Sequence, residues 1–430
     1  MTRGALMRVL FAFLFAALGC GGNNLAGADG GAPEDGAPED GAAEDALVCS
    51  TPRVTAAPPP THRALVAYDE LVAGPDPTLL AGGFNEPVAL FLDDQGVAFF
   101  GTNELLRLDL EGRLTTSSRN PRRPYDDAPV GVGNVVRAST GYGAIITYVA
   151  QDGLSYDTRF CLVTDDTWPA LGACPQVPMV GGNLPVVAWD GRAFQVFGTS
   201  GVSTFDDHGA WVADHPFPAA VGNAPVLAAE FVGDKVMLEW FERDSKACFS
   251  DTVWVLPRSL DLGAVQKFDL TPSDFVVSNS QRTTAAGSSA AVLVYGVCFT
   301  RWPTPEVCYS QPQWPASFLT VVGPDGEPSL LRQPVPIRPA NQGLADQLTW
   351  DGEHLVAVRA TELFLEVYVL DLQGSMVRVA LVGPELGLSA PRKHLGSARL
   401  VAVAPNDYIV GYGVMDSMET WIARFQLIPL

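Results

Sequence analysis

Basic residues are few in this 430-residue chain, 27 Lys and Arg against 48 Asp and Glu, and the formal charge is -21. No Lys/Arg stripe offsets that balance, and an acidic surface repels phosphates, so nucleic acid is excluded as a partner. There are only five histidines and no HExxH, no DxDxDG loop occurs, and none of the seven cysteines forms a CxxC pair. Zinc, calcium and dithiol redox chemistry thus lack their ligand spacings, and no metal or cofactor is expected. The GxSxG elbow of serine hydrolases is missing too. Charged residues make up only 17% against 47% apolar ones, which leaves enough for a sizeable core. The 42 Gly and 34 Pro favour many turns over long helices.

The first twenty residues are MTRGALMRVLFAFLFAALGC. Arg3 and Arg8 precede an apolar run from Val9 to Leu18, too short to span a bilayer, and the segment reads as an export signal, 1–19. Ala17-Leu18-Gly19-Cys20 resembles a bacterial lipobox, with Ala17 where Leu is usual. The resemblance implies that Cys20 becomes a lipidated N-terminus. Residues 20–47 follow as a tether: GGNNLAGADGGAPEDGAPEDGAAEDAL carries seven acids, no base and almost no large apolar side chain. Such a segment cannot offset its ordering entropy, and as a Gly-rich coil it reaches about 30 Å. Residues 48–430 are then the folded domain, itself acidic.

With Cys20 set aside, six cysteines remain, and an even set in an exported chain reads as disulfides. Cys161 with Cys174 and Cys298 with Cys308 are the local choices, which leaves Cys49 with Cys248. Six cysteines permit about 15 pairings in all.

The stretch VVAWDGRAFQVF at 186 returns as QLTWDGEHLVAV at 347. Asp and Gly tolerate the dihedrals of tight turns, and the flanking runs alternate as strands do. Relaxed to apolar run, turn, apolar run, the pattern recurs at 88, 135, 226, 282 and 399, which predicts seven hairpins with turns near 95, 141, 191, 233, 287, 352 and 406. Asn precedes several of the first strands, as at Asn85, Asn134, Asn183 and Asn223. A second hairpin follows the first in several units, plainest in LLRLDLEGRL at 105 and VYVLDLQGSMVRV at 367. Two hairpins make four strands, the content of one propeller blade, and the spacing fits blades with inserted loops. An all-β, seven-bladed β-propeller is therefore expected. Only TWIARFQLI at 420 follows the last hairpin, so an N-terminal segment, RALVAYDEL at 63, is expected to close the ring.

On these hairpins, the lipobox and the tether, the chain resembles exported β-propeller lipoproteins of the myxobacterial type. That resemblance implies a lipid-anchored envelope protein, and the Gly21 after Cys20 hints at the outer membrane of a Gram-negative bacterium. The first unit is also similar to NHL-repeat and quinoprotein blades. Enzymatic propeller motifs fit less well. TFDDHGAW at 204 has one residue too many for a sialidase Asp-box, no repeated Trp docking motif or vicinal cysteines are present, and the Trp-Asp pairs lack an upstream Gly-His. The cluster Asp206, Asp207, His208, Asp214 and His215 reads as solvated turn residues.

Connections from the second to the third strand of a blade leave by one face, and two read as long: FERDSKACFSDT at 241 and CFTRWPTPEVCYSQPQWPA at 298. The second presents Trp302, Tyr309 and Trp314, aromatic anchors suited to stacking on sugars or packing against a partner. The two tryptophans are also placed to cap the blade ends as satellite core. The leading expectation is a non-catalytic, lipid-anchored binding module that holds a polysaccharide or envelope protein on this face. The alternative is an extracellular glycan hydrolase or lyase with acids in the central channel. A structural spacer is the third reading.

Overall fold

The computed structural model describes residues 71–73, 78–82, 87–101, 104–110, 113–119, 129–149, 156–164, 174–177, 185–217, 226–243, 249–257, 266–270, 275–277, 282–298, 317–335, 337, 347–361, 365–382, 395–414 and 419–427. All belong to one compact unit, Thr51–Leu430. Among them every regular element is a β-strand.

The strands form seven antiparallel sheets, six of them built from consecutive segments. Blade 1 is Pro87–Asp93, Gly96–Gly101, Glu104–Leu108 and Leu114–Arg119, and blade 2 is Pro129–Arg137, Tyr142–Val149 and Tyr156–Val163. Blade 3 is Val186–Trp189, Phe194–Phe197, Gly201–Phe205 and Trp211–Pro216; blade 4 is Val226–Val232, Lys235–Arg243, Phe249–Pro257 and Gln266–Asp269. In blade 5 the first strand comes in two pieces, Phe275–Val277 and Arg282–Ala286, followed by Ser289–Cys298, Ser317–Val322 and Pro328–Pro334. Blade 6 is Gln347–Trp350, Leu355–Ala360, Leu365–Leu370 and Met376–Val382, and blade 7 begins Leu395–Ala404, Asp407–Val414 and Glu419–Leu427. This is a seven-bladed β-propeller.

Burial follows position in the blade. Gly96–Gly101, Phe194–Phe197 and Ser317–Val322 are buried along their whole length. Both faces of these strands are covered by neighbouring blades, so they read as continuous apolar runs rather than alternating ones. Outermost Pro328–Pro334 instead alternates between half-buried and exposed. The core is divided accordingly into seven apolar clusters, one at each interface between successive blades. Between blades 2 and 3, Phe160 stacks on Phe205 with ring centroids 4.5 Å apart and meets Phe194 at 5.0 Å. Burying one such side chain contributes about 2 kcal/mol.

The seven expected hairpin turns are found, each with one residue at positive φ: Gly96, Gly141, Gly191, Gly233, Gly287, Gly352 and Asn406. The second hairpins share a loop of their own. Backbone N–H to carbonyl bonds close Asp109 on Arg113, Asp206 on Ala210, Gly323 on Glu327 and Asp371 on Ser375, at 2.8–3.0 Å. In three of these loops the leading Asp also accepts from the closing N–H at 2.8 Å. TFDDHGAW is one such loop. Asp206 spends its carboxylate on the His208 and Ala210 N–H groups, while Asp214 accepts from Ser203 and Trp211.

The ring closes as expected, though with a segment that starts later. Leu71–Ala73 pairs antiparallel with the last strand, Leu71 opposite Leu427, and Thr78–Gly82 continues on the same strand. Residues 63–70 lie outside the described residues. Pro75 and Pro77 separate the two pairings, and neither has an N–H to offer a ladder. Arg424 adds a link across the seam, bonding Asp407 through two nitrogens and the Leu110 carbonyl at 3.1 Å.

Among the described residues, blade 2 shows no regular fourth strand. A single bridge, Arg159 to Gln176, holds that position, together with a disulfide between Cys161 and Cys174 and an Arg159 bond to the Cys174 carbonyl at 3.1 Å. The Tyr148 hydroxyl lies 3.5 Å and 3.6 Å from the two sulfurs, and burial pushes its phenol up to about 12. The sequence expectation for this pair is met. The pairings of Cys298 with Cys308 and Cys49 with Cys248 fall outside the described residues, as does Cys20.

Candidate functional site: the axial channel

The first strands of the seven blades surround an axial cavity of about 720 Å³. A first strand is an edge of its sheet and leaves backbone groups unpaired toward the axis. Side chains supply some of those partners, and they reach from one blade to the next. Asn134 Oδ1 accepts from the Val187 N–H at 2.8 Å, joining blades 2 and 3. Gln347 Oε1 accepts from the Leu400 N–H at 2.6 Å, joining blades 6 and 7. Arg399 donates to the Val88 carbonyl at 2.7 Å, and Arg137 donates to the Leu92 carbonyl, so blade 1 is held from both sides. The wall is thus laced by side chains at four of its seven seams.

The base of the ring carries a second set of links. Asp93, at the first turn of blade 1, accepts from the Gln95 N–H, from Arg107 and, at 2.5 Å, from the Tyr142 hydroxyl of blade 2. Burial raises the Asp93 carboxyl, but the bonds from Tyr142 and Arg107 outweigh it and hold the carboxyl below the usual range. Asp351, at the first turn of blade 6, accepts from the Glu353 and His354 N–H groups and from the Tyr408 hydroxyl of blade 7 at 2.7 Å. Burial first, and then the bond to Asp351, raises the Tyr408 phenol.

Three charged side chains line the cavity among the described residues: Arg137, Glu230 and Arg399. Glu230 is half-buried, and burial within the wall of blade 4 pushes its carboxyl from about 4.5 up to about 7. Leu227 on the same strand is exposed toward the channel. Thr283, Thr284 and Thr349 add hydroxyls from blades 5 and 6. The arrangement is a rigid tube with cations on the blade 7–1–2 side, one titratable acid on blade 4, and neutral polar and apolar groups between them.

Of these channel residues only Asn134 was marked in the sequence; Arg137, Glu230 and Arg399 were not, although a signal existed. Apart from Asp93 and Arg282 at strand ends, first strands are otherwise apolar or neutral, so the charge in LAAEFV, VVRA and SARLVA stands out once the strands are known to be innermost. Trp302, Tyr309 and Trp314 fall within residues 299–316, outside the described residues. Their insert joins Ser289–Cys298 to Ser317–Val322, the second and third strands of blade 5, as the topology required. The other loop read as long is short. The strands of blade 4 pair out to Arg243 opposite Phe249, which leaves residues 244–248 between them.

No protein-family model and no curated protein matches the chain. Solved structures do resemble it in fold. The WD40 domain of Neurospora crassa Pan2 superimposes with a TM-score of 0.50 at 11% identity, over 84% of this chain and all of that one. The polysaccharide lyase Uly1 gives 0.45 at 9% identity, over 82% of this chain and 91% of that one. The extracellular domain of a one-component system from B. thetaiotaomicron gives 0.47 at 10%, over 83% and 40%. The Pan2 likeness is one of propeller architecture alone.

Proposed function

We propose that this chain is a non-catalytic binding module: an exported propeller, anchored by lipid at Cys20 and carried on the 20–47 tether, that holds a polysaccharide or protein of the cell envelope. The outer membrane of a Gram-negative bacterium is the compartment this reading favours. The observation that carries it is the axial cavity. Its volume lies within the range of about 300–1,000 Å³ usual for ligand sites, and its wall is fixed by bonds from blade to blade. The insert bearing Trp302, Tyr309 and Trp314 leaves by the face on which second and third strands join, and would add an aromatic rim there.

One observation favours the hydrolase or lyase alternative. A carboxyl near pH 7 is well placed for general acid work, and Glu230 has one. Glycoside hydrolysis ordinarily needs a second carboxylate, and Glu230 is the only acid lining the cavity among the described residues.

The test is a bacterial glycan array probed with the full chain, beside a Trp302→Ala/Trp314→Ala variant. Binding by the parent supports the module. Loss in the variant assigns the ligand to the insert, and retention assigns it to the channel. Release of shortened glycan by the parent but not by Glu230→Gln would replace the module with the enzyme. A blank array, with no envelope protein captured, would overturn both.

A further inference from the structure

The two arginines of the channel are held in unlike places on one strand. Arg399 bonds the Val88 carbonyl and Arg137 the Leu92 carbonyl, four residues further along, a separation of about 13 Å for an extended strand. They therefore cannot close on one small anion, but they can meet successive charges on a single elongated ligand. Arg137 is exposed to the channel, and its remaining donors are uncommitted among the described residues. A guanidinium offers five donors in a planar fork, which matches a carboxylate with two parallel bonds.

The rest of the wall suits a hydroxylated ring. Asn134 and Gln347 use their carbonyl oxygens on the backbone and keep their amide N–H₂ groups, while Thr283 and Thr349 bring hydroxyls. Leu227 and Trp189 supply apolar surface for the ring faces. Outside the channel the acidic chain repels anions, but at physiological salt that repulsion is screened within about 8 Å. Inside, the two cations act at contact distance.

We propose that the axial channel binds an acidic saccharide, a uronate oligomer, with Arg137 as its carboxylate anchor and Arg399 as a second cationic contact. The proposal rests on the binding-module reading and names its ligand class. Glu230 sets the conditions. When ionised it adds a negative charge to the wall, and when protonated it donates a hydrogen bond. The inner strands beside it bring no titratable described side chain, only Ala188 and Trp189 from blade 3 and Thr283 and Thr284 from blade 5. Its own blade places Glu239 opposite Ala228, and Arg137 and Arg399 are the cations lining the channel among the described residues. Burial keeps much of the Glu230 carboxyl neutral up to about pH 7, so uronate binding weakens as pH rises through that value.

Calorimetric titration of the full chain with trigalacturonate, maltotriose and inorganic phosphate tests this. Trigalacturonate is expected to bind at least tenfold more tightly than either of the others. Arg137→Gln should lose at least tenfold and Arg137→Lys less, while both still melt in one cooperative transition, lowered by only a few degrees for the lost bond to the Leu92 carbonyl. Glu230→Gln should bind several-fold more tightly than the parent at pH 8 and equally at pH 5.5. Equal affinity for maltotriose or phosphate, unchanged binding by Arg137→Gln, or no binding of trigalacturonate would each overturn the proposal. A positive array or a captured envelope protein alongside such a failure would leave the binding module standing.

Discussion

The two Trp-Asp-Gly turns are spelled alike and used differently. In blade 3, Asp190 is half-buried and serves its own loop, accepting from the Arg192 and Ala193 N–H groups at 2.7 and 2.8 Å. In blade 6 the Asp351 side chain is fully buried, makes the same two local bonds, and takes a third from Tyr408 of the next blade. One turn is a local cap and the other joins two blades. The difference comes from the following blade: Tyr408 stands two residues past Asn406, whereas past Gly233 the same place is Lys235. A motif thus acquires a tertiary role from a residue nearly sixty positions away.

That contrast can be broken in steps by measuring stability in denaturant. The largest effect is expected for Asp351→Ala, which leaves two turn N–H groups and a buried hydroxyl without an acceptor. A loss of about 3 kcal/mol is expected. Tyr408→Phe leaves the turn intact but removes one donor from a buried carboxylate, for about 2 kcal/mol, and the double variant should lose less than the sum of the two. The same pair has a pH signature. Because the folded-state phenol of Tyr408 lies above its unfolded value, its contribution is complete below about pH 10 and is lost as pH rises beyond it. Tyr408→Phe should therefore lose less stability than the parent between pH 9 and 11. Asp190→Ala removes bonds whose donors water can reach, and about 1 kcal/mol is expected. Last come Gly191→Ala and Gly352→Ala. Both residues sit at positive φ, 92° and 104°, and an added Cβ meets nothing closer than 3.8 Å. Each should cost about 1–3 kcal/mol in backbone strain, and the two costs should be nearly equal. A large difference between the glycines would mean that the backbones, not the aspartates, set the two turns apart.

The seven turns were legible because Gly, Asn and Asp mark positions where the chain must reverse, and the apolar runs beside them mark strands covered on both faces. Ring closure was legible from a count of strands at the two ends, although the starting residue was not, since RALVAYDEL and the segment after it are equally apolar. The Tyr408–Asp351 link was not legible. It depends on which residues of successive blades share a level, and sequence spacing with variable loops does not set that level. Glu230 was missed for a related reason. A single Glu within an apolar strand is ordinary until the strand is known to face an axis rather than solvent.

Closure of the ring also bears on how the molecule is made. The seam joins Leu71 to Leu427, so the pairing that completes the circle links the two ends of the domain. Each of the other sheets is built from neighbouring segments and can form as its own residues emerge, whereas this one waits for the final strand. Until then the nascent assembly is an open arc with a bare strand edge at its C-terminal end, a template for pairing with a second arc. A chain cut short before Glu419 would remain in that state, and its fate would be decided by chaperones and proteases more than by the stability of the blades it has already built.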